Sequence, residues 1–174
     1  MDLNIVVLVK QVPDTKSVTG KAMNEDGTVN RAALPAIFNP DDLHALEAAL
    51  AIKDQVPGSR VNVISMGPPA AAQVLKECLF RGADFAALLS DRRFAGADTL
   101  ATSYALACAI KKVGTVDLVF CGHQAIDGDT AQVGPQTAEK LGMNQITCVS
   151  AFEKVDAEKK ELTVRRSIEG GYEV

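Results

Sequence analysis

The residues best equipped for chemistry run from 122 to 135: Gly122-His123-Gln124-Ala125-Ile126-Asp127-Gly128-Asp129-Thr130-Ala131-Gln132-Val133-Gly134-Pro135. They follow an apolar run and lead into a helical pattern. Backbone N–H groups left free at such a helix start can cradle a phosphate or pyrophosphate. Thr130 and Gln132 could add side-chain hydrogen bonds. The same pattern also describes an ordinary turn capping a helix, and the residue types alone do not choose between the two. Asp127 and Asp129 repel a phosphate unless they point toward amides, ribose hydroxyls or a cation. No Lys follows a Gly-rich loop in the way nucleoside triphosphate sites require. Pro135 removes a donor early in the helix, so the helix begins after Thr130 or opens on an irregular turn.

Other candidates are thinner. Ser90-Asp91-Arg92-Arg93-Phe94-Ala95-Gly96-Ala97-Asp98-Thr99 also leads from a strand into a helix, and its two Arg fit either an anion or plain surface charge. His44 and His123 have no Cys or Asp at nucleophile or metal spacing, which favours structural or solvent-facing roles. Cys78, Cys108, Cys121 and Cys148 are far apart in apolar surroundings and read as buried, reduced thiols. G-x-S-x-G, H-E-x-x-H and G-x-G-x-x-G do not occur. The chain has binding loops and no recognisable catalytic set.

The elements that must carry these loops alternate between short β-rich runs and helical patterns, the mark of an α/β fold with an open, mostly parallel sheet. Residues 3–9 form a continuous aliphatic run, as in a strand buried on both faces. Residues 13–34 are polar and predict a loop or small hairpin around Gly27. Asn39-Pro40-Asp41-Asp42 then opens a helix: Asn caps, Pro fits the first position, and both Asp complement the positive end of the dipole. Leu43, Leu46 and Leu50 give that helix its apolar face, and Pro57-Gly58 follows it. A strand is predicted over 61–66, a turn at Gly67-Pro68-Pro69, and a helix to about Arg81. Leu75, Cys78 and Leu79 share one face of this helix, and Gly82 closes it. Residues 84–90 form a third strand, 97–113 a third helix ending at Gly114, and 117–121 a fourth strand. A helix then runs to Leu141-Gly142, and 146–152 reads as a fifth strand. Charge dominates 153–161, a hairpin tip leading to a strand over 162–168, and another strand begins near 170–174. In open parallel sheets ligands bind beyond the carboxyl ends of the strands, so the loops after Val9, Met66, Ser90 and Cys121 are the ones that matter.

Composition narrows the partners. With 174 residues, 47% hydrophobic and 23% charged, the chain is sized for one globular domain. Such a domain buries about 70% of its unfolded surface. Aromatics are 5%, with no Trp, too few for a platform that stacks single-stranded nucleic acid. The net charge of −4 has the wrong sign for binding polyanions through bulk charge, so any phosphate must be held locally. No basic region with a long apolar stretch follows Met1, and no segment reaches 18 apolar residues. These features, with the scattered Cys, place the chain in the cytoplasm or another reducing compartment, without membrane insertion.

Val7-Leu8-Val9-Lys10-Gln11-Val12-Pro13-Asp14, the Asn39-Pro40 helix opening, Ser65-Met66-Gly67-Pro68 and the stretch from Gln124 to Gly134 together resemble the electron-transfer flavoprotein beta subunit. The resemblance covers essentially the whole chain in order. It implies an adenine-nucleotide-binding fold related to the universal stress proteins, with a larger alpha subunit as partner. It also implies electron passage from dehydrogenases toward a quinone or another acceptor. In the family the beta subunit holds AMP or, in electron-bifurcating members, a second FAD. Carried over position by position, the ligand contacts are Leu8, Asn39, Pro40, Asp41, Asp42, Met66, Gly122, His123, Gln124, Ala125, Ile126, Asp127, Gly128, Asp129, Thr130, Ala131, Gln132 and Val133. Some members have Cys where this chain has Met66, which makes that contact a main-chain one. The 90–99 loop resembles the bifurcating branch and, with Asp127-Gly128-Asp129-Thr130, tilts the cofactor toward FAD over AMP. NADH is then a further expected partner. Family members continue well past residue 174, into a segment that embraces the alpha subunit. The expectation is therefore a C-terminally truncated domain that folds but binds nucleotide and partner less well than a full subunit. The alternative is a stand-alone adenine-nucleotide sensor of the universal-stress-protein type.

Overall fold

The aliphatic run after Asp2 forms β1, Asn4–Leu8, in a computed structural model that describes residues 2–14, 16 and 34–174. Next come β2, Gln11–Pro13, and β3, Ala36–Phe38, paired antiparallel, and then α1, Pro40–Gln55. The hairpin expected around Gly27 lies outside the described residues. Then β4 (Arg60–Met66), α2 (Ala72–Arg81), β5 (Phe85–Leu89), α3 (Thr99–Val113), β6 (Leu118–Cys121) and α4 (Val133–Leu141) alternate. The chain finishes with β7 (Val149–Asp156), β8 (Glu161–Ile168) and β9 (Gly171–Glu173).

Four strands make a parallel sheet in the order β5-β4-β1-β6. Alternation along β1 sends Ile5 and Val7 to one face and Val6 and Leu8 to the other. On the first face Ala45, Leu46, Ala49 and Ile52 of α1 and Val74, Leu75 and Cys78 of α2 complete the core. On the second face Leu106 and Ile110 of α3 meet Val6, Leu8 and Ile64, with Val133 and Leu141 of α4 beside them. Each fully buried aliphatic side chain contributes about 1.5–3 kcal/mol, so both helix layers are held chiefly by apolar burial.

Several expectations shift on inspection. Leu79 is 42% exposed, because Val74, Leu75 and Cys78 already fill the inward face of α2. Gly82, at φ 118°, closes that helix as expected. Of the four free thiols only Cys78 is buried; Cys121 is half-buried, while Cys108 and Cys148 are exposed. The fifth strand starts later than expected and does not join the parallel sheet. β7 pairs antiparallel with β8, and β8 with β9, in a separate three-stranded sheet. Ser150, Glu153 and Lys154 explain this: a strand buried on both faces could not accommodate them, whereas a half-exposed hairpin can. Phe152 packs this sheet against Phe120 of β6, with ring centroids 5.5 Å apart. Among the described residues no helix is long and apolar enough to cross a membrane.

Candidate functional site

The strand order sets the location. From β1 the chain progresses to β4 and β5, then returns across the sheet to β6, so the connections leaving β1 and β6 part company at their carboxyl ends. Such a switch point leaves a crevice where ligands bind in open α/β sheets.

Into this place projects the first turn of α1, and its side chains do something other than cap their own helix. Asn39 makes no side-chain cap. Its Nδ2 donates to the Gln124 carbonyl at 2.8 Å, and its Oδ1 accepts from the Ile126 N–H at 3.2 Å. Asp41 Oδ2 accepts from the Gln124 N–H at 3.2 Å. Asp42 accepts from the Gly122 N–H through Oδ1 at 3.2 Å and from the Lys10 N–H through Oδ2 at 2.8 Å. Three residues of one helical turn therefore clamp the first half of the 122–135 loop. Gly122 is required by space: a Cβ there would lie 2.7 Å from the backbone of Asp41 and of Asp42. Asn39 is fully buried and Asp42 nearly so. Burial pushes the Asp42 carboxyl up to about 7, against the stabilising hydrogen bond from the Asn39 side chain and the N–H donors from Lys10 and Gly122. Burial also raises the neighbouring Cys121 thiol to about 12, with the Asp42 charge adding to the effect.

The amides of Gly122, Gln124 and Ile126 are therefore not free for a phosphate, contrary to the sequence expectation for the loop as a whole. The next turn is also closed internally, since the N–H groups of Gly128 and Asp129 both donate to the Ala125 carbonyl. The open donors come later. Among the described residues nothing accepts from the N–H groups of Thr130, Ala131, Gln132, Val133 or Gly134. Asp129 and Ala131 both have φ 51°, and Gln132 returns to φ −106°, ψ −27°. A left-handed residue followed by a right-handed one turns successive N–H groups toward a common point, an anion-binding nest. Here it adjoins the N-terminus of α4. That helix begins at Val133, later than Thr130, so Pro135 falls in its first turn, where its missing N–H costs nothing.

The acidic residues of the loop are accounted for. Lys10 Nζ lies 2.6 Å from Asp127 Oδ1, and the Asp127 side chain is only 3% exposed. Asp129 Oδ1 accepts from Gln124 Nε2 at 2.9 Å. Both carboxylates point toward donors within the protein, the condition under which a phosphate could approach. Lys10, the residue following the β1 run, is a contributor that sequence reasoning passed over. A Lys placed directly beyond a buried parallel strand was the available signal.

Leu8, Met66 and Val133 come together with Leu89 and Cys121 as the upper part of the α3–α4 side of the core. The loop after β5 reaches the same region, where Thr99 Oγ1 donates to Gln132 Oε1 at 3.2 Å. Arg93 is committed to Asp91, at 2.7 Å, and that pairing draws the Asp91 carboxyl down to about 2. His44 and His123 join no cluster of metal-binding groups; among the described residues no such cluster exists. A groove of about 1110 Å³ runs elsewhere, along β4 and β5 beside α3, lined by Phe85, Ala87, Tyr104 and Cys108 among others.

A family model for the electron transfer flavoprotein domain matches residues 26–174. The caffeyl-CoA reductase-Etf complex subunit CarD of Acetobacterium woodii is 56% identical over 99% of this chain and 64% of its own length. An electron transfer flavoprotein subunit beta from Clostridium acetobutylicum is 55% identical over the same shares. The acryloyl-CoA reductase electron transfer subunit gamma of Anaerotignum propionicum is 50% identical over 98% of this chain and 62% of its own length. The chain thus spans a little under two-thirds of the length of these relatives.

Proposed function

The chain belongs to the electron transfer flavoprotein family, and on that premise we propose that it acts as a beta-type electron-transfer subunit holding FAD, in preference to AMP, at the β1–β6 crevice. The observation that carries this reading is the set of open amides at 130–134, next to the α4 N-terminus and the wall formed by Leu8, Met66 and Val133. These groups fit a dinucleotide's phosphates: donors converge, the nearby Asp carboxylates are engaged, and Lys10 supplies positive charge.

When bound, the flavin supplies hydride and single-electron chemistry. The protein's part is to hold and orient. The clamp from Asn39, Asp41 and Asp42 fixes the loop, the nest receives phosphate, and the aliphatic wall excludes water from one side of the crevice. With aromatics only 5% of the chain, adenine or isoalloxazine is gripped chiefly by backbone, aliphatic and small polar groups. Partners on this reading are the larger alpha subunit, dehydrogenases and NADH. The names of the Acetobacterium and Anaerotignum relatives, a reductase–Etf complex subunit and an electron transfer subunit, support a place within a multi-subunit complex. They offer nothing for a stand-alone nucleotide sensor.

The test is to co-express the chain with an alpha subunit of the same family, purify the complex and count its flavins. Two FAD per heterodimer support FAD at this site and an electron-bifurcating role. One FAD with one AMP overturns the choice of FAD, and no adenine compound beyond the alpha subunit's own overturns the site.

A further inference from the structure

Asp42 occupies the one position where the exits of β1 and β6 meet the loop. It is 7% exposed, and its two oxygens are used by different strands: Oδ2 by the Lys10 N–H and Oδ1 by the Gly122 N–H. An ionised carboxylate offers lone pairs to both donors. A protonated one must place its O–H on one oxygen, opposing an N–H with another donor. Asn has the same defect permanently.

We propose that Asp42 is a positioning residue whose ionised carboxylate ties the β1 and β6 exits together and, through Gly122, sets the loop that presents the open amides, so that ligand affinity depends on its charge. This rests on the nucleotide or flavin site proposed above. Asn39 and Asp41 hold the loop further on, at Gln124 and Ile126, and among the described residues the Gly122 N–H goes to Asp42. The titratable groups around it are few. Asp41 on its own helix opposes its ionisation. Cys121 at the end of β6 and Cys78 of α2 both feel its charge. The Lys10–Asp127 pair and His123 belong to the segments it joins. Since burial raises its carboxyl to about 7, the clamp switches near neutral pH.

The experiment titrates FAD into the 174-residue chain and its Asp42→Asn variant between pH 6 and pH 8. FAD has no phosphate proton titrating in this range; AMP, run in parallel, does, and its own contribution is common to both proteins. A group titrating near 7 is about one-tenth ionised at pH 6 and nine-tenths at pH 8, so wild-type affinity should rise about tenfold across the range. Asp42→Asn should bind about tenfold more weakly at pH 8 and lose the slope. Wild-type affinity in Asp42→Asn at pH 8, or an unchanged slope, overturns the proposal. A second readout needs no ligand and no variant: the exchange protection of the Gly122 amide in the wild-type chain should fall as pH drops from 8 to 6. Constant protection overturns the positioning role even if no ligand binds. Absence of both FAD and AMP binding with the expected protection change counts against the cofactor reading alone.

Discussion

Gly122→Ala is the sharpest test of how the loop is held. The added methyl would sit 2.7 Å from the Asp41 carbonyl carbon and from the Asp42 nitrogen, both backbone atoms in the first turn of α1. No rotamer change relieves that contact, so either the helix start or the loop must move. Overpacking of this kind costs about 1–3 kcal/mol. Movement also strains the Gly122 N–H bond to Asp42 and the Gln124 N–H bond to Asp41, each a bond to a charged acceptor. Losing one such bond costs about 1.5–3 kcal/mol. Since partial relaxation trades one loss against the other, the expected total is about 2–4 kcal/mol, read from urea unfolding. FAD and AMP affinity should fall at least tenfold, because the loop reaches its open amides through Gly122. Gly128→Ala is the matched control: its Cβ meets nothing within 4 Å, so stability should stay within about 0.5 kcal/mol. A Gly122→Ala chain as stable as the Gly128→Ala chain, with unaltered affinity, would refute the clamp.

Three other outcomes follow from the same geometry. Asp42 is raised from 3.8 to about 7 in the fold, so the stability it confers is complete below pH 3.8 and is lost as pH rises through 7. That difference is worth about 4 kcal/mol in full; the wild-type chain should therefore unfold at lower urea at pH 8 than at pH 5, and equal or greater urea resistance at pH 8 contradicts this. Ala131, at φ 51°, tolerates Gly but not a β-branched residue: Ala131→Val should cost about 1–2 kcal/mol by thermal melting, while Ala131→Gly holds or raises stability. Lys10→Gln removes the cation from Asp127 and should cost about 1–2 kcal/mol, less than a fully buried pair because Lys10 is 42% exposed. The same change should weaken FAD binding and flatten its salt dependence.

Much of the frame is legible in the residues themselves. The aliphatic runs of β1 and β4 announce strands buried on both faces, Asn39-Pro40 marks the start of α1, and Gly82 marks the end of α2. The crevice follows from strand alternation and the switch-point rule. What local reading misses is the destination of side chains. Capping rules send Asn39, Asp41 and Asp42 to their own helix, whereas their partners lie 32 and 80 to 87 residues away in the chain. That pairing exists only once β1 and β6 are neighbours, so no periodicity reveals it. It also decides which loop amides remain open, those of residues 130–134. The limits and partners of β7 are less legible than its hairpin with β8. An apolar run near 146–152 fits a parallel strand until its alternating polar partners, Ser150 and Glu153, are weighed against the need for burial on both faces.

The central claim, that the β1–β6 crevice is where this protein holds its adenine cofactor, is tested most directly by following backbone amide resonances while FAD, and separately AMP, is added to the chain. The account predicts that the amides of residues 130–134 shift and gain exchange protection, and that those of Gly122 and Gln124 change little because they are already bonded. Shifts confined to the groove beside α3, at Phe85, Tyr104 and Cys108, or no shifts with either compound, would contradict it.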